Sequence, residues 1–300
     1  MTDEQQIDGV TFRVEEAAER AADEVRPPVT ERDRRIEARF ATRLRLNVPI
    51  RNSPKIERLI ELVNADDELY ALWIAENVTA VERLGMTDHG PVHVKIVMNI
   101  AAKLLRLLAD HGVKPGVVTD YGMELDDAAV VVILGSLLHD VGMSIHRVDH
   151  EAFSLFVAQS KLRELLLQLY DVRTATILRS EVLHAILGHR SGGRPLTLEA
   201  GIVRVADALD MAKGRSRIPF AEGSMSIHSL SAAAINAVHI EAGKTKPVRL
   251  RIEMCNSAGV FQLDQLFREK LAGSGLEPYI ELEALLEGEA EKRLVTTYHL

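Results

Sequence analysis

The chain has 300 residues, 47% of them apolar, and carries a net charge of −8. A chain of this length accommodates more than one domain and buries a substantial core. The excess of acids and an aromatic content of 4% disfavour broad nucleic-acid binding, which relies on basic faces and stacking aromatics. A single cysteine, Cys255, excludes a disulfide framework and a cysteine-rich zinc site.

The N-terminus and the apolar runs indicate a cytoplasmic protein. The sequence begins MTDEQQ, without the basic and apolar regions of a secretory signal. The longest largely apolar run, 128–138, is shorter than the roughly 20 residues that a transmembrane helix needs. We therefore expect no membrane span and no membrane partner.

The first segment, residues 1–50, is highly charged and weakly patterned. Residues 1–25 hold eight acids and two arginines, and Pro27 and Pro28 interrupt the segment. A stretch with this composition buries little apolar surface. We predict a partly disordered N-terminal arm, in which the stretch 15–25 is compatible with a helix but offers an apolar face of mostly alanine.

Helical patterns dominate residues 51–222. Ser53 is a typical N-cap residue, and Pro54 suits the first helical position after it. Apolar residues then recur at the spacing of one helix face: Ile56, Leu59, Ile60 and Val63. Similar patterns predict further helices at about 66–84, 89–111, 125–138, 151–169, 174–187 and 198–211. This segment is expected to be an all-helical domain.

Residues 223–300 change to the alternating pattern of half-buried strands. Strands are predicted at 237–241, 247–255, 279–284 and 294–299, with one helix between 260 and 271 that ends before Gly273. The order β-β-α-β-β predicts a small α+β domain with a dimerisation or regulatory role. Exposed strand edges of this domain would allow a homodimer. The fold class is therefore mainly α, an all-helical domain followed by a small α+β domain.

Histidines and aspartates concentrate in the helical part, where eight of the eleven histidines lie between 89 and 189. Imidazoles and carboxylates carried inward by apolar helices are costly to bury without partners. A bound metal ion would offset that cost, and nitrogen and oxygen ligands without thiolates favour Mn, Fe, Ni or Zn. The candidate ligands are His93, His139, Asp140, His150, His189 and Asp207.

Five motifs around these residues, in this order, resemble those of the HD-domain metal-dependent phosphohydrolases. They are HVKIVMNIA, LLHDVGMS, DHEAFS, GHRSGGRP and VRVADALD. The resemblance covers about residues 85–217 and implies a helical HD fold. It also implies hydrolysis of a nucleotide-like phosphomonoester or phosphoanhydride by a metal-bridged hydroxide.

The resemblance further implies that the six ligands bind two divalent transition-metal ions. One ion would be held by His93, His139, Asp140 and Asp207, and the other by His150 and His189, with Asp140 bridging. The catalytic role is assigned to Asp140 and Asp207. His89 lies four residues before His93 on the same helix face and, with His184, is a further candidate ligand.

Bound phosphate also needs positive charge from the protein. Candidate substrate-binding residues flank the turn beside His189 or follow Asp207: Arg190, Arg194, Lys213 and Arg215. Asp210, three residues after Asp207, is expected to pair with a nearby arginine.

Two alternatives to this enzyme stay open. A dinucleotide phosphodiesterase would use the same ligands, although residues 189–195 lack the tyrosine and glutamate typical of the cyclic-di-GMP branch. A non-catalytic metal or nucleotide sensor is the other alternative. All six ligand positions are filled, which favours an enzyme. Metal analysis combined with a nucleotide hydrolysis screen distinguishes the three.

Overall fold

The computed structural model describes residues 6–7, 10–11, 31–41, 43–50, 52–190, 192–212, 231 and 233–286. The chain forms two compact units, Met1–Arg43 and Leu44–Leu300. The first contains an antiparallel strand pair, β1 (Gln6–Ile7) and β2 (Val10–Thr11), and helix α1 (Glu31–Phe40). An exposed ion pair between Arg35 and Glu31 joins successive turns of α1. The stretch 15–25 lies outside the described residues.

The second unit begins with a bundle of helices, which confirms the predicted helical domain. Ser53 caps the first of them as expected, because its side chain accepts a hydrogen bond from the Ile56 amide. The helices are α2 (Pro54–Ala65), α3 (Asp67–Asn77), α4 (Pro91–Asp110), α5 (Gly116–Tyr121), α6 (Leu125–Leu138), α7 (His150–Leu166), α8 (Val172–Gly188) and α9 (Leu198–Leu209). The helix predicted at about 66–84 covers α3 and the π-helical turn Val78–Arg83 that extends it, whereas the sequence pattern did not predict α1 or α5.

Helix α6 lies at the centre of the bundle, and α4, α8 and α9 pack around it. All its residues from Asp127 to Leu138 are buried. The stretch Leu125–Ser144 is long and apolar enough to cross a membrane, but 94% of its apolar 18-residue window is buried inside the protein. That burial is the behaviour of a core helix, so the apolar character of this stretch is explained by packing.

The backbone turns sharply where α6 ends, in a 3-10 turn at Val141–Ser144. Ser154 of α7 fixes this turn, because its hydroxyl donates to the His139 carbonyl and accepts from the Gly142 amide, both within 2.8 Å. Gly142 lies so close to α7 that a Cβ there would overlap the backbone of His150 and Ser154. The end of α6 and the start of α7 are thereby held together.

The C-terminal part contains a three-stranded sheet in the order β3-β4-β5, which confirms the α+β character of this region. Strand β3 (Ile235–Ala242) pairs antiparallel with β4 (Val248–Met254), and β4 pairs parallel with β5 (Ile280–Leu286). A parallel pair needs a crossover connection. Here the crossover includes the C-terminal helical segment (259–271), which consists of Gly259–Phe261, the π-helical Gln262–Phe267 and Arg268–Leu271. The strand predicted at 294–299 and the boundary predicted near 223 lie outside the described residues.

The C-terminal helical segment packs directly on the helical bundle through Arg204 of α9. This side chain is only 1% exposed, and its guanidinium donates to carbonyl oxygens on two sides. The acceptors are the carbonyls of Gly188, Arg190, Gly193, Glu269 and Lys270. A guanidinium has five N–H donors, so one buried arginine ties the turn after α8 to the C-terminal helical segment.

The close packing at Gly142 leads to a stability prediction. We expect Gly142→Ala to lower the free energy of unfolding by about 1–3 kcal/mol, because the added methyl must displace backbone atoms of α7. Gly188→Ala is the control, since its new Cβ would meet the Ala200 Cβ at an ordinary 3.4 Å. That variant should match or exceed the parent in urea unfolding. Equal midpoints for Gly142→Ala and the parent would contradict the described packing.

Candidate metal centre

The structure brings the six predicted ligands together in one buried cluster. They form two groups of three, and within each group one donor atom per residue lies within 4.8 Å of the others. The first group is His93, His139 and Asp207, and the second is Asp140, His150 and His189. Helices α4, α6, α7, α8 and α9 and the turn after α6 all contribute, so the cluster depends on the packing of the whole bundle.

In the first group, imidazole nitrogens and carboxylate oxygens face one another. The Nε2 atoms of His93 and His139 are 3.2 Å apart. Asp207 Oδ1 lies 3.7 Å from each of them.

Asp140 connects the two groups through its two oxygens. Its Oδ2 lies 3.2 Å from His139 Nε2 in the first group. Its Oδ1 lies 3.1 Å from His150 Nε2 and 3.5 Å from His189 Nε2 in the second. This carboxylate therefore occupies a bridging position between the groups.

Hydrogen bonds at Nδ1 orient three of the imidazoles. His139 and His189 cap the C-termini of α6 and α8, where the last carbonyls lack intrahelical partners. Each ring donates its Nδ1 hydrogen to the carbonyl three residues earlier, at Ser136 and Ile186 respectively. A carbonyl only accepts, so Nδ1 carries the hydrogen, and when the ring is neutral its Nε2 lone pair points into the cluster.

His93 is oriented by a carboxylate instead. Its Nδ1 lies 2.6 Å from Asp210 Oδ2. Asp210 thus contacts a ligand histidine, a partner that the sequence analysis did not anticipate. Carboxylate–histidine pairs of this kind are common behind metal ligands, where they fix the ring and raise its basicity.

This arrangement fits a bound cation. The Nε2 atoms of His93 and His139 face each other at 3.2 Å, with two carboxylates beside them. Burial disfavours charge on His139, but Asp140 and Asp207 outweigh it and raise the pKa of His139 well above its usual value. The cluster therefore attracts positive charge, and its nitrogen and oxygen donors suit a divalent transition metal.

Asp140, Asp207 and His189 are kept in the states that metal binding requires. Burial opposes ionisation of Asp140 and Asp207, but the histidines around Asp140 and Lys270 beside Asp207 hold the pKa of each carboxyl well below its usual value. Burial lowers the pKa of His189 and so favours its neutral form. Ionised carboxylates and neutral imidazoles are the forms that bind metals.

The two additional candidate ligands differ in position. His89 is buried on the wall of the cavity described below, and its Nδ1 lies 2.7 Å from the Thr87 carbonyl. It belongs to neither group of three. His184 does not reach the cluster, because its Nε2 accepts a hydrogen bond from the Leu196 amide at 2.9 Å.

The predicted phosphate-binding arginines do not line the cavity beside the cluster. Arg190 is half exposed with Asp149 3.7 Å away, and Arg194 is exposed. The reason is the turn after α8, whose carbonyls point inward to Arg204 while these side chains point to solvent. Lys213 and Arg215 lie outside the described residues.

A cavity of about 330 Å³ opens over the cluster. Among the described residues, the cations on its wall are Arg147 and Lys270, and Met86, Met211 and Leu266 supply apolar surface. None of these five residues was singled out from the sequence. Lys270 and Leu266 belong to the C-terminal helical segment, about 60 residues beyond Asp207, and no local pattern connects them to the HD motifs.

Glu76 of α3 is a further group that sequence analysis missed. It is fully buried, and neither carboxyl oxygen has a hydrogen-bond partner among the described residues. Burial, reinforced by Asp140, raises the pKa of Glu76 well above its usual value. This side chain therefore stays neutral beside the cluster.

Comparison with known proteins gives two matches. The HD domain family matches residues 92–212. The chain is also 42% identical over 213 residues to the uncharacterized protein MJ1020 of Methanocaldococcus jannaschii, an alignment that covers 71% of this chain and 82% of the relative. No solved structure matches the chain.

The contact between His93 and Asp210 leads to a prediction about metal affinity. Asp210→Ala should weaken Mn²⁺ binding about 10- to 100-fold, because His93 loses the group that orients it. Asp110→Ala is the matched control, since Asp110 is exposed at the opposite end of α4, about 25 Å away along the helix. Titration with Mn²⁺ measures both. Equal affinities in the two variants would contradict the orienting role.

Proposed function

The chain belongs to the HD-domain family, and we propose that it hydrolyses a nucleotide-like phosphomonoester or phosphoanhydride with two bound divalent transition-metal ions. The observation that carries this proposal is the position of Asp140. Its two oxygens face two separate groups of ligands, within 3.1–3.5 Å of the nearest imidazole nitrogens. A single bridging carboxylate of this kind suits a pair of ions more than one isolated ion.

When bound by these ligands, divalent ions would lower the pKa of coordinated water and neutralise charge on phosphate oxygens. The protein contributes orientation. Asp207 presents Oδ1 to the first group, and the Nδ1 contacts of His93, His139 and His189 keep their Nε2 atoms directed inward. The three imidazoles are buried, so they hold their positions before substrate arrives.

The cavity over the cluster supports an organic phosphate as substrate. Apolar side chains of Met86, Met211 and Leu266 lie on the same wall as the ligands. Such surface suits the base or sugar of a nucleotide, while the cluster takes the phosphate. A dinucleotide phosphodiesterase or a sensor without turnover would share these features, so a substrate screen has to distinguish them.

The test compares two isosteric substitutions on either side of the same turn. Asp140→Asn should lose tightly bound metal and lower turnover at least a hundredfold, because both groups lose their shared negative charge. Asp149→Asn is the control, since Asp149 is exposed and asparagine tolerates its left-handed backbone (φ 57°). The measurements are metal content after chelator-free purification and phosphate release from a panel of nucleotides.

Two results would contradict the proposal. Metal content that is unchanged in Asp140→Asn would contradict the site. Bound metal in the parent without hydrolysis of any phosphate ester, including cyclic and linear dinucleotides, would favour the sensor.

A further inference from the structure

Lys270 is the cation that the C-terminal helical segment places beside the metal cluster. Its ammonium donates to Asp207 Oδ2 at 3.2 Å and to the backbone carbonyl of His189. Asp207 uses its other oxygen, Oδ1, to face His93 and His139. One lysine thus touches both groups of ligands from outside the cluster.

The Lys270 ammonium has one N–H group that takes no part in these contacts. Lysine has three N–H donors, and the contacts of Lys270 with described residues engage two of them. Its side chain is 19% exposed and lies on the wall of the 330 Å³ cavity. The third N–H is therefore available to a ligand in the cavity.

Arg147, the other cation on this wall, is engaged differently. Its Nη1 lies 2.7 Å from His150 Nδ1, so the guanidinium is held against a ligand ring. Lys270 instead contacts residues of both ligand groups through Asp207 and the His189 backbone, and this position is the reason for considering it as the substrate contact.

The position of Lys270 is fixed by the surrounding packing. The buried Arg204 donates to the carbonyls of Glu269 and Lys270 and holds this end of the helical segment against the bundle. Gly201 of α9 lies close to the turn that follows the C-terminal helical segment. A Cβ at Gly201 would overlap the Ser274 carbonyl of that turn. These contacts fix the position of the Lys270 backbone relative to the bundle. A fixed position is required for a side chain to recognise a charged group.

We propose that Lys270 is a catalytic residue of this enzyme and donates a charge-assisted hydrogen bond to a phosphoryl oxygen of the bound substrate. This inference rests on the proposed phosphohydrolase function. It adds that the active site extends beyond the HD match at 92–212 and is incomplete without the C-terminal helical segment. The ammonium holds Asp207 with one hydrogen and the phosphoryl group with another.

The test uses the full chain loaded with Mn²⁺ and inorganic phosphate as the probe. Lys270→Met and Lys270→Gln should bind Mn²⁺ with the parent stoichiometry but bind phosphate about 10- to 100-fold more weakly, because a charge-assisted hydrogen bond is lost. Calorimetric titration measures the metal and phosphate steps separately.

Lys246→Met is the matched control. Lys246 also donates to two backbone carbonyls, those of Glu277 and Ile280, but it does not line the cavity. This variant should lose stability and keep parent affinity for phosphate. If both Lys270 variants bound phosphate as tightly as the parent, the proposal would be overturned. Lys270 would then only connect Asp207 to the backbone of His189.

A second measurement does not depend on how the variants fold. In crystals of the parent with Mn²⁺ and phosphate, Lys270 Nζ should lie within about 3.2 Å of a phosphate oxygen. Phosphate bound at the cluster with Nζ beyond hydrogen-bond distance would overturn the proposal. A parent that binds no Mn²⁺ would instead contradict the proposed function itself, so the two failures are distinguishable.

Discussion

The convergence of lone pairs in a buried space is the constraint on which this structure depends. Imidazole Nε2 atoms of His93 and His139 lie 3.2 Å apart, with carboxylate oxygens of Asp140 and Asp207 around them. Such an arrangement is unfavourable without a cation between the groups, because burial removes the water that would solvate them. The protein stabilises it with hydrogen bonds behind the rings and with the positive charge of Lys270.

Helix ends are what make these orientations possible. The buried helix α6 ends at His139, and α8 ends at His189, so the unpaired carbonyls of their last turns accept the Nδ1 hydrogens. Ser154 then holds the turn after α6 against α7, which carries His150. The site is therefore a product of bundle packing, and local disruption at Gly142 is expected to affect both stability and metal binding.

Much of the fold and the ligand set could be predicted because their signals are local. Ser53 before an apolar helical repeat predicted α2, alternation predicted β3, β4 and β5, and the HD motifs identified the six residues that converge. Contacts between residues far apart in the chain could not be predicted, because no local sequence pattern indicates them. Lys270 meets Asp207 across 63 residues, and Arg204 turns the loop after α8 so that Arg190 and Arg194 face solvent. The contact of Asp210 with His93, 117 residues away, had no local signal either.

The most direct test of this account is anomalous scattering from crystals of the full chain grown with Mn²⁺. The account predicts two peaks. One should be coordinated by His93, His139 and Asp207, the other by His150 and His189, with an Asp140 oxygen at each. A single peak remote from Asp140, or no peak at the cluster in protein that is folded and saturated with Mn²⁺, would contradict it.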